Sequence, residues 1–362
     1  MKILITDGEG PITKNDNAFE LSSYFIPNGE KFFTVVSSYD DVLAYLIKKP
    51  GYKAGDTLKL ILPFLKAYGA TDKIIEEYSR KNLLLMPKAK EALDYLKPVM
   101  PIYIVSTSYE PYVKVVCETL NFPLENVYCT KLKIDKYKLD EKEIEILKRF
   151  SIEISKMEPI KIPEKASSLN DLSKKDNETI ERLNQIFWKD LPSMKAYEII
   201  KDVNPIGGFE KANAVKEILN KTGCEFSDVI YIGDSITDVQ ALNLIKENGG
   251  LAISFNGNQY ALKEAEIAVL ALNAMPIAIL SELFLKNGKQ AIIELIKNKG
   301  RSLNPEVKKA WSKLKNEGAK LEKIEEKNLS KLISKSMRYR KKVRGEKIGE
   351  LGWKFNFKSL II

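Results

Sequence analysis

Met1-Lys2-Ile3-Leu4-Ile5-Thr6-Asp7-Gly8-Glu9-Gly10-Pro11 opens the chain and decides its fold. Ile3, Leu4 and Ile5 form a short apolar run that reads as a buried strand. The run stops at an aspartate, and two glycines and a proline then turn the chain away. A buried parallel strand ending in a carboxylate presents it at the carboxyl edge of a sheet, where open α/β folds hold ligands. Taken alone, Asp7-Gly8 is equally well ordinary turn chemistry.

Working outward, the same pattern recurs. Pro101-Ile-Tyr-Ile-Val-Ser106 is a second apolar run closing on a polar residue, and Val229-Ile-Tyr-Ile-Gly233, followed by Asp234, is a third. Further strands are expected over 126–134, 251–255 and 267–270. Helical spacing of apolar residues marks 39–49, 57–68, 71–80, 88–96, 111–120 and 210–222. Strands alternating with helices predict a parallel sheet covered on both faces. Residues 135–204 carry no strong strand and read as an insertion, with helix over 141–154 and around 178–200 and a loop over 155–177.

Composition narrows the chemistry. A chain of 362 residues with 44% hydrophobic and 30% charged content is expected to be a soluble protein of two or three compact units. No secretory signal fits its start, and the longest apolar run, 267–280, is broken by Asn273 and Pro276 and is too short for a membrane span. Cys117, Cys129 and Cys224 suggest neither a disulfide framework nor a zinc site, so a reduced, cytoplasmic compartment is expected. The chain has no histidine. That excludes Ser-His-Asp and Cys-His catalysis and histidine-ligated metals, leaving acid–base work to carboxylates, lysines or tyrosines. Any metal site is then oxygen-rich and suits a hard cation such as Mg2+.

The net charge of +9 is uneven: residues 281–362 hold 22 Lys and Arg against 9 Asp and Glu, a balance of +13, which leaves the other 280 residues at −4. The tail reads as Lys/Glu helices ending in Arg338-Tyr-Arg-Lys-Lys-Val-Arg344. Such helices are usually solvated faces. With Trp311, Tyr339 and Trp353 interleaved, contact with an acidic protein or with nucleic acid is the rarer alternative.

Asp7, Ser106 and Asp234 thus fall on one sheet edge. Gly233-Asp234-Ser-Ile-Thr-Asp238 places two carboxylates four apart at a helix start, hence on one face. Carboxylates this close repel unless a cation joins them, and with Asp7 they make a cradle for Mg2+. The plain alternative for Asp234 is a helix N-cap.

The ordered set Asp7-x-Glu9-Gly10, Ser106 closing a strand, Lys211 early in a helix, and Gly233-Asp234-x-x-x-Asp238 resembles the haloacid dehalogenase-like hydrolases. The spacing from Lys211 to Asp234, the run Gly250-Leu-Ala-Ile-Ser-Phe-Asn256 and the helical segment between the first two motifs are similar to the phosphoserine phosphatase branch. The Asp-x-Glu-Gly-Pro variant and the long tail are similar, more faintly, to a methanogen family described as energy-converting hydrogenase A subunit R. The resemblance covers residues 1–137 and 205–280. It implies a Rossmann-like catalytic core built from 1–13, 87–137 and 205–280, with a helical cap at 14–86. A helical insertion at 138–204 and a basic helical C-terminal extension at 281–362 complete the expected organisation.

The resemblance also implies roles. Asp7 attacks phosphorus and forms an aspartyl-phosphate that water then hydrolyses. Ser106, with Thr107 beside it, binds the phosphoryl group. Lys211 neutralises that group and holds Asp7. Mg2+ is held by Asp7, the backbone carbonyl of Glu9, Asp234 and Asp238, with Asp238 alternatively orienting Lys211. Glu9 departs from the family pattern, which has aspartate as the general acid and base two residues after the nucleophile. The extra methylene leaves two outcomes, the same role from another rotamer or poor turnover. The expected function is a Mg2+-dependent phosphatase acting on a small phosphorylated metabolite. The alternative is a catalytically weak regulatory or assembly subunit with a protein partner at its tail. Tyr24, Phe25, Phe32, Phe33 and Tyr39 of the cap read chiefly as cap core and secondarily as pocket lining.

Overall fold

The computed structural model describes residues 1–163 and 166–351; Trp353 lies outside them. A seven-stranded sheet runs in the order β3-β2-β1-β4-β5-β6-β7. Its strands are β1 (Ile3–Thr6), β2 (Ile102–Tyr109), β3 (Val127–Thr130), β4 (Val229–Gly233), β5 (Leu251–Phe255), β6 (Ile267–Leu270) and β7 (Lys320–Lys323). All pairings are parallel except β6 with β7. β1 lies inside the sheet between β2 and β4 with every residue buried, as a continuous apolar run between two helical layers requires.

The helices divide by position. In the segment expected as the cap lie α1 (Asn17–Phe25), α2 (Gly29–Asp41), α3 (Thr57–Ala67) and α4 (Asp72–Asn82). α5 (Ala89–Leu96) and α6 (Glu110–Leu120) return to the sheet. α7 (Glu141–Lys156), α8 (Lys174–Gln185) and α9 (Tyr197–Asp202) make up the insertion. α10 (Phe209–Thr222), α11 (Val239–Glu247) and α12 (Gln259–Glu264) alternate with the later strands. α13 (Met275–Asn298), α14 (Pro305–Asn316), α15 (Glu326–Arg344) and α16 (Glu346–Glu350) form the C-terminal part. Among the described residues no helix is long and apolar enough to cross a membrane.

Two features differ from the sequence reading. Cap and insertion share one core: Phe32, Phe64, Leu147, Phe187 and Ile199 belong to a single buried cluster. The Phe64 ring lies 5.0 Å from Phe32 and 6.0 Å from Phe187, and Trp188 Nε1 donates to Tyr39 Oη at 2.8 Å. Each helical segment alone would leave an apolar face in water, and burying such side chains contributes about 1.5–3 kcal/mol apiece. Phe32, Phe33 and Tyr39 are buried in that core as expected, whereas Tyr24 is 57% exposed.

The second difference is the C-terminal part, which is built into the core domain. Ala291, Ile292, Leu295, Val307, Leu314 and Leu321 join the same buried cluster as Leu4 and Ile104. β7 extends the sheet, and its charged Lys320 and Lys323 suit an edge strand. α15 is no solvated arm. Leu332, Ser336 and Arg340, four residues apart, form a buried stripe, and Ser336 Oγ donates to the Gly257 carbonyl at 2.7 Å.

Candidate active site

Register puts three site residues on adjacent strands. Thr6 pairs with Ile104 on one side and Ile232 on the other, so Asp7 follows β1 at the level where Ser106 and Asp234 close in from β2 and β4. The Asp7 amide donates to the Ile232 carbonyl at 2.8 Å, holding the residue against β4. Its Oδ1 accepts the Gly8 N–H at 2.6 Å, and its Oδ2 lies 2.6 Å from Lys211 Nζ. Two glycines permit the close approach. Gly10 has φ +92°, and a Cβ there would stand 2.2 Å from Asp234 Oδ2; at Gly233 a Cβ would stand 2.6 Å from Asp238 Cγ.

Lys211 sits in the first turn of α10 and is completely buried, which a lysine accepts only when paired. Its ammonium bridges Asp7 and Asp238, the latter at 2.8 Å. Burial acts to lower its pKa, but the two carboxylates outweigh that and hold it above the ordinary lysine value. Asp238 is saturated by protein donors. Its Oδ1 takes Lys211 and Tyr231 Oη at 2.8 Å each, and its Oδ2 takes the Asp234 and Ser235 amides at 3.1 Å. Against the cost of burial, Lys211 and Tyr231 keep its carboxyl below the usual range. Asp238 is therefore geometrically the residue that orients Lys211. Capping of the turn before α11 falls to Ser235 and Asp238, which leaves the Asp234 side chain free of that duty.

Ser106 is buried with Oγ accepting the Ser108 N–H at 3.2 Å, and it borders Asp7-Gly8 closely enough that a Cβ on Gly8 would lie 3.1 Å from that oxygen. The Thr107 hydroxyl donates to the Ile206 carbonyl at 2.9 Å and so ties down the loop that leads into α10. Glu9 Oε1 accepts the Asn17 N–H at 2.7 Å at the start of α1. Burial and the neighbouring Asp16 push the Glu9 carboxyl well above its ordinary pKa, against the pull of Arg344. Burial and the Asp238 and Asp234 charges push Asp7 up as well, with Lys211 opposing.

Above these residues opens a cavity of about 120 Å3. Asp7, Glu9, Ser106, Thr107 and Asp234 form its floor side, while Phe33, Asp40, Asp41 and Thr57 come from the cap. Asp40 fastens the loop before α3, accepting from Tyr52 Oη at 2.6 Å and from the Gly55 and Thr57 amides; burial pushes its carboxyl up to about 7.

Each residue singled out from the sequence lies at this one edge, but two that were not also reach it. Arg340 and Arg344 enter the cavity from α15, and both direct Nη1 at Asp234 Oδ2, Arg344 at 3.2 Å. Arg344 is further fixed by donating from Nε to the Lys14 carbonyl at 3.0 Å and from Nη2 to the Asn15 carbonyl. Their spacing of four on a helix was the available signal, since it puts both on one face.

The donor set fits a hard divalent cation. Asp7, Asp234 and Asp238 bring buried carboxylate oxygens within 4.8 Å of one another, and with Asp238 engaged by its protein donors the ion would be held by Asp7 and Asp234.

No curated protein matches the chain. Among solved structures it is similar to the gene product AF1437 from Archaeoglobus fulgidus, with a TM-score of 0.79 and 28% identity over 96% of this chain and 98% of that one. Fainter likenesses are to a phosphoserine phosphatase in apo form (TM-score 0.43, 12% identity, 74% and 92% covered) and to a phosphoserine phosphohydrolase-like protein from Francisella tularensis (TM-score 0.41, 16% identity, 77% and 99% covered). The family model of haloacid dehalogenase-like hydrolases matches residues 93–275, half of the chain, and the chain belongs to that family.

Proposed function

We propose that the protein is a Mg2+-dependent phosphatase that hydrolyses a small cytoplasmic phosphate ester through an aspartyl-phosphate on Asp7. One observation carries this reading: a buried Asp7–Lys211–Asp238 chain faces Asp234 across adjacent strands at the floor of an open cavity. Asp7 Oδ attacks phosphorus as the ester P–O bond breaks, and the departing oxygen takes a proton from Glu9, whose raised pKa suits an acid. Water then attacks phosphorus, giving a proton back to Glu9 and freeing Asp7 and inorganic phosphate. Ser106 donates to a phosphoryl oxygen, and Lys211 offsets charge on Asp7 and on the phosphoryl group. Mg2+, held by Asp7 and Asp234 beside Asp238 and the Glu9 carbonyl, supplies electrostatic stabilisation and orientation of the phosphoryl oxygens.

A second reading, a slow or silent subunit that senses a phosphorylated ligand, is favoured by a specific contact. Glu9 spends one carboxylate oxygen on the Asn17 amide, which holds its longer arm toward α1. A panel of phosphate esters with Mg2+, run on wild type and Asp7→Asn, separates the two. Turnover that disappears in Asp7→Asn supports the enzyme; silence across the panel with retained metal binding supports the subunit.

A further inference from the structure

Arg340 and Arg344 do something the catalytic scheme above does not use. Arg340 is 4% exposed although it carries a full charge, and burying a guanidinium is costly unless it is paired. Its Nη1 reaches Asp234 Oδ2, while its Nε is buried without a hydrogen-bond partner among the described residues. The two arginines come from a helix more than 100 residues beyond Asp234 in the chain.

The charge count at the floor explains what they do. Asp7, Asp234 and Asp238 are matched by Lys211, Arg340 and Arg344, three carboxylates against three cations. Glu9 and Asp16 line the same cavity. A divalent ion entering this floor meets two guanidinium groups already on the carboxylate it needs. An anionic group arriving with the ion gives the displaced guanidinium groups a new partner. Arg344 Nε and Nη2 donate to the Lys14 and Asn15 carbonyls, which keeps the planar guanidinium at the mouth, so freeing Asp234 means turning that group off one of these contacts.

We propose that Arg340 and Arg344 are an internal counter-cation that a divalent metal must displace from Asp234, and that the displaced pair receives an anionic group at the same mouth, so that metal and phosphate load together. This rests on the reading of the site as a phosphatase centre. It assigns α15 a ligand-coupling role in the cavity.

The test is Mn2+ binding to the full chain at pH 8, followed by electron paramagnetic resonance and calorimetry, with and without inorganic phosphate, in wild type, Arg344→Gln and Arg340→Met. Mn2+ alone is expected to bind each variant about tenfold more tightly than wild type, the size of a typical coupling between sites. Phosphate is expected to tighten Mn2+ binding at least about tenfold in wild type and much less in the variants. Circular dichroism checks that each variant is folded. Mn2+ affinity that is unchanged or weaker in both folded variants overturns the inference. If neither variant folds, the wild-type titration decides, and a phosphate effect below about twofold overturns it. An unaffected Mn2+ affinity alongside normal ester hydrolysis defeats this inference alone, whereas no Mn2+ binding in any form, with or without phosphate, defeats the phosphatase reading too.

Discussion

Two carboxylates in this site hold buried cations, Asp7 one and Asp234 two, and the cations arrive from different parts of the chain. Asp7 holds Lys211, which arrives from the first turn of α10 and is itself steered by Asp238. Asp234 holds Arg340 and Arg344, which arrive from the C-terminal α15. The first pair is closed on itself, since every carboxylate oxygen of Asp238 and of Asp7 has a protein donor. The second set borders the cavity, which Asp234, Arg340 and Arg344 all line. On the proposed function the closed pair positions Asp7 as nucleophile, and on the further inference the second set is where a ligand exchanges with a side chain.

Breaking the closed pair is expected to have the largest effects. Asp7→Asn should lower ester hydrolysis on the order of a thousandfold or more while leaving the fold intact, as steady-state rates and thermal melts will show. Lys211→Met leaves Asp7 and Asp238 buried without their cation, and removing one partner of a buried pair costs about 3–5 kcal/mol. Urea denaturation checks this, and a loss within error would mean that the pair is not closed.

Glu9, proposed as the general acid, sharpens the contrast from the same loop as Asp7. Glu9→Gln should reduce turnover by about a hundredfold or more, because the amide keeps a contact near Asn17 but cannot move a proton. Glu9→Asp should raise the rate if arm length limits the enzyme, measured as kcat on the best ester of the panel.

The smallest effect lies far from both pairs. Glu282 of α13 accepts from Tyr95 Oη at 2.7 Å, Lys286 at 2.7 Å and Lys313 at 3.2 Å. Burial raises its pKa, but these three donors more than offset that and hold it near 2, against an ordinary value of 4.5. A depressed carboxyl contributes stability that is complete above pH 4.5 and is lost as pH falls toward 2. Glu282→Gln should therefore cost about 1 kcal/mol at pH 7, held down by solvent screening, and should flatten that acid limb in pH-dependent melts.

What the sequence revealed follows from how close the evidence lies along the chain. Asp7, Ser106 and Asp234 each end an apolar run, and a strand's burial and its terminal residue are written side by side. Lys211 is legible for a related reason, since it precedes β4 in the same helix–strand unit. The shared core of cap and insertion is not, because Phe64 and Phe187 meet only after the sheet has folded between them. β7 hides as well. Only Leu321 of Lys320-Leu-Glu-Lys323 is buried, so the run looks like surface helix. Arg340 and Arg344 hide among lysines of the same charge, and nothing local says that their face meets Asp234.

The most direct test of the central claim is a crystal structure of the full chain grown with Mg2+ and beryllofluoride, a mimic of phosphoryl bound to aspartate. The account predicts the fluoride adduct on Asp7, a cation shared by Asp7 and Asp234, and Lys211 still bridging Asp7 and Asp238. A structure with Asp7 unmodified at saturating beryllofluoride, or with the cation bound away from Asp234, would contradict it.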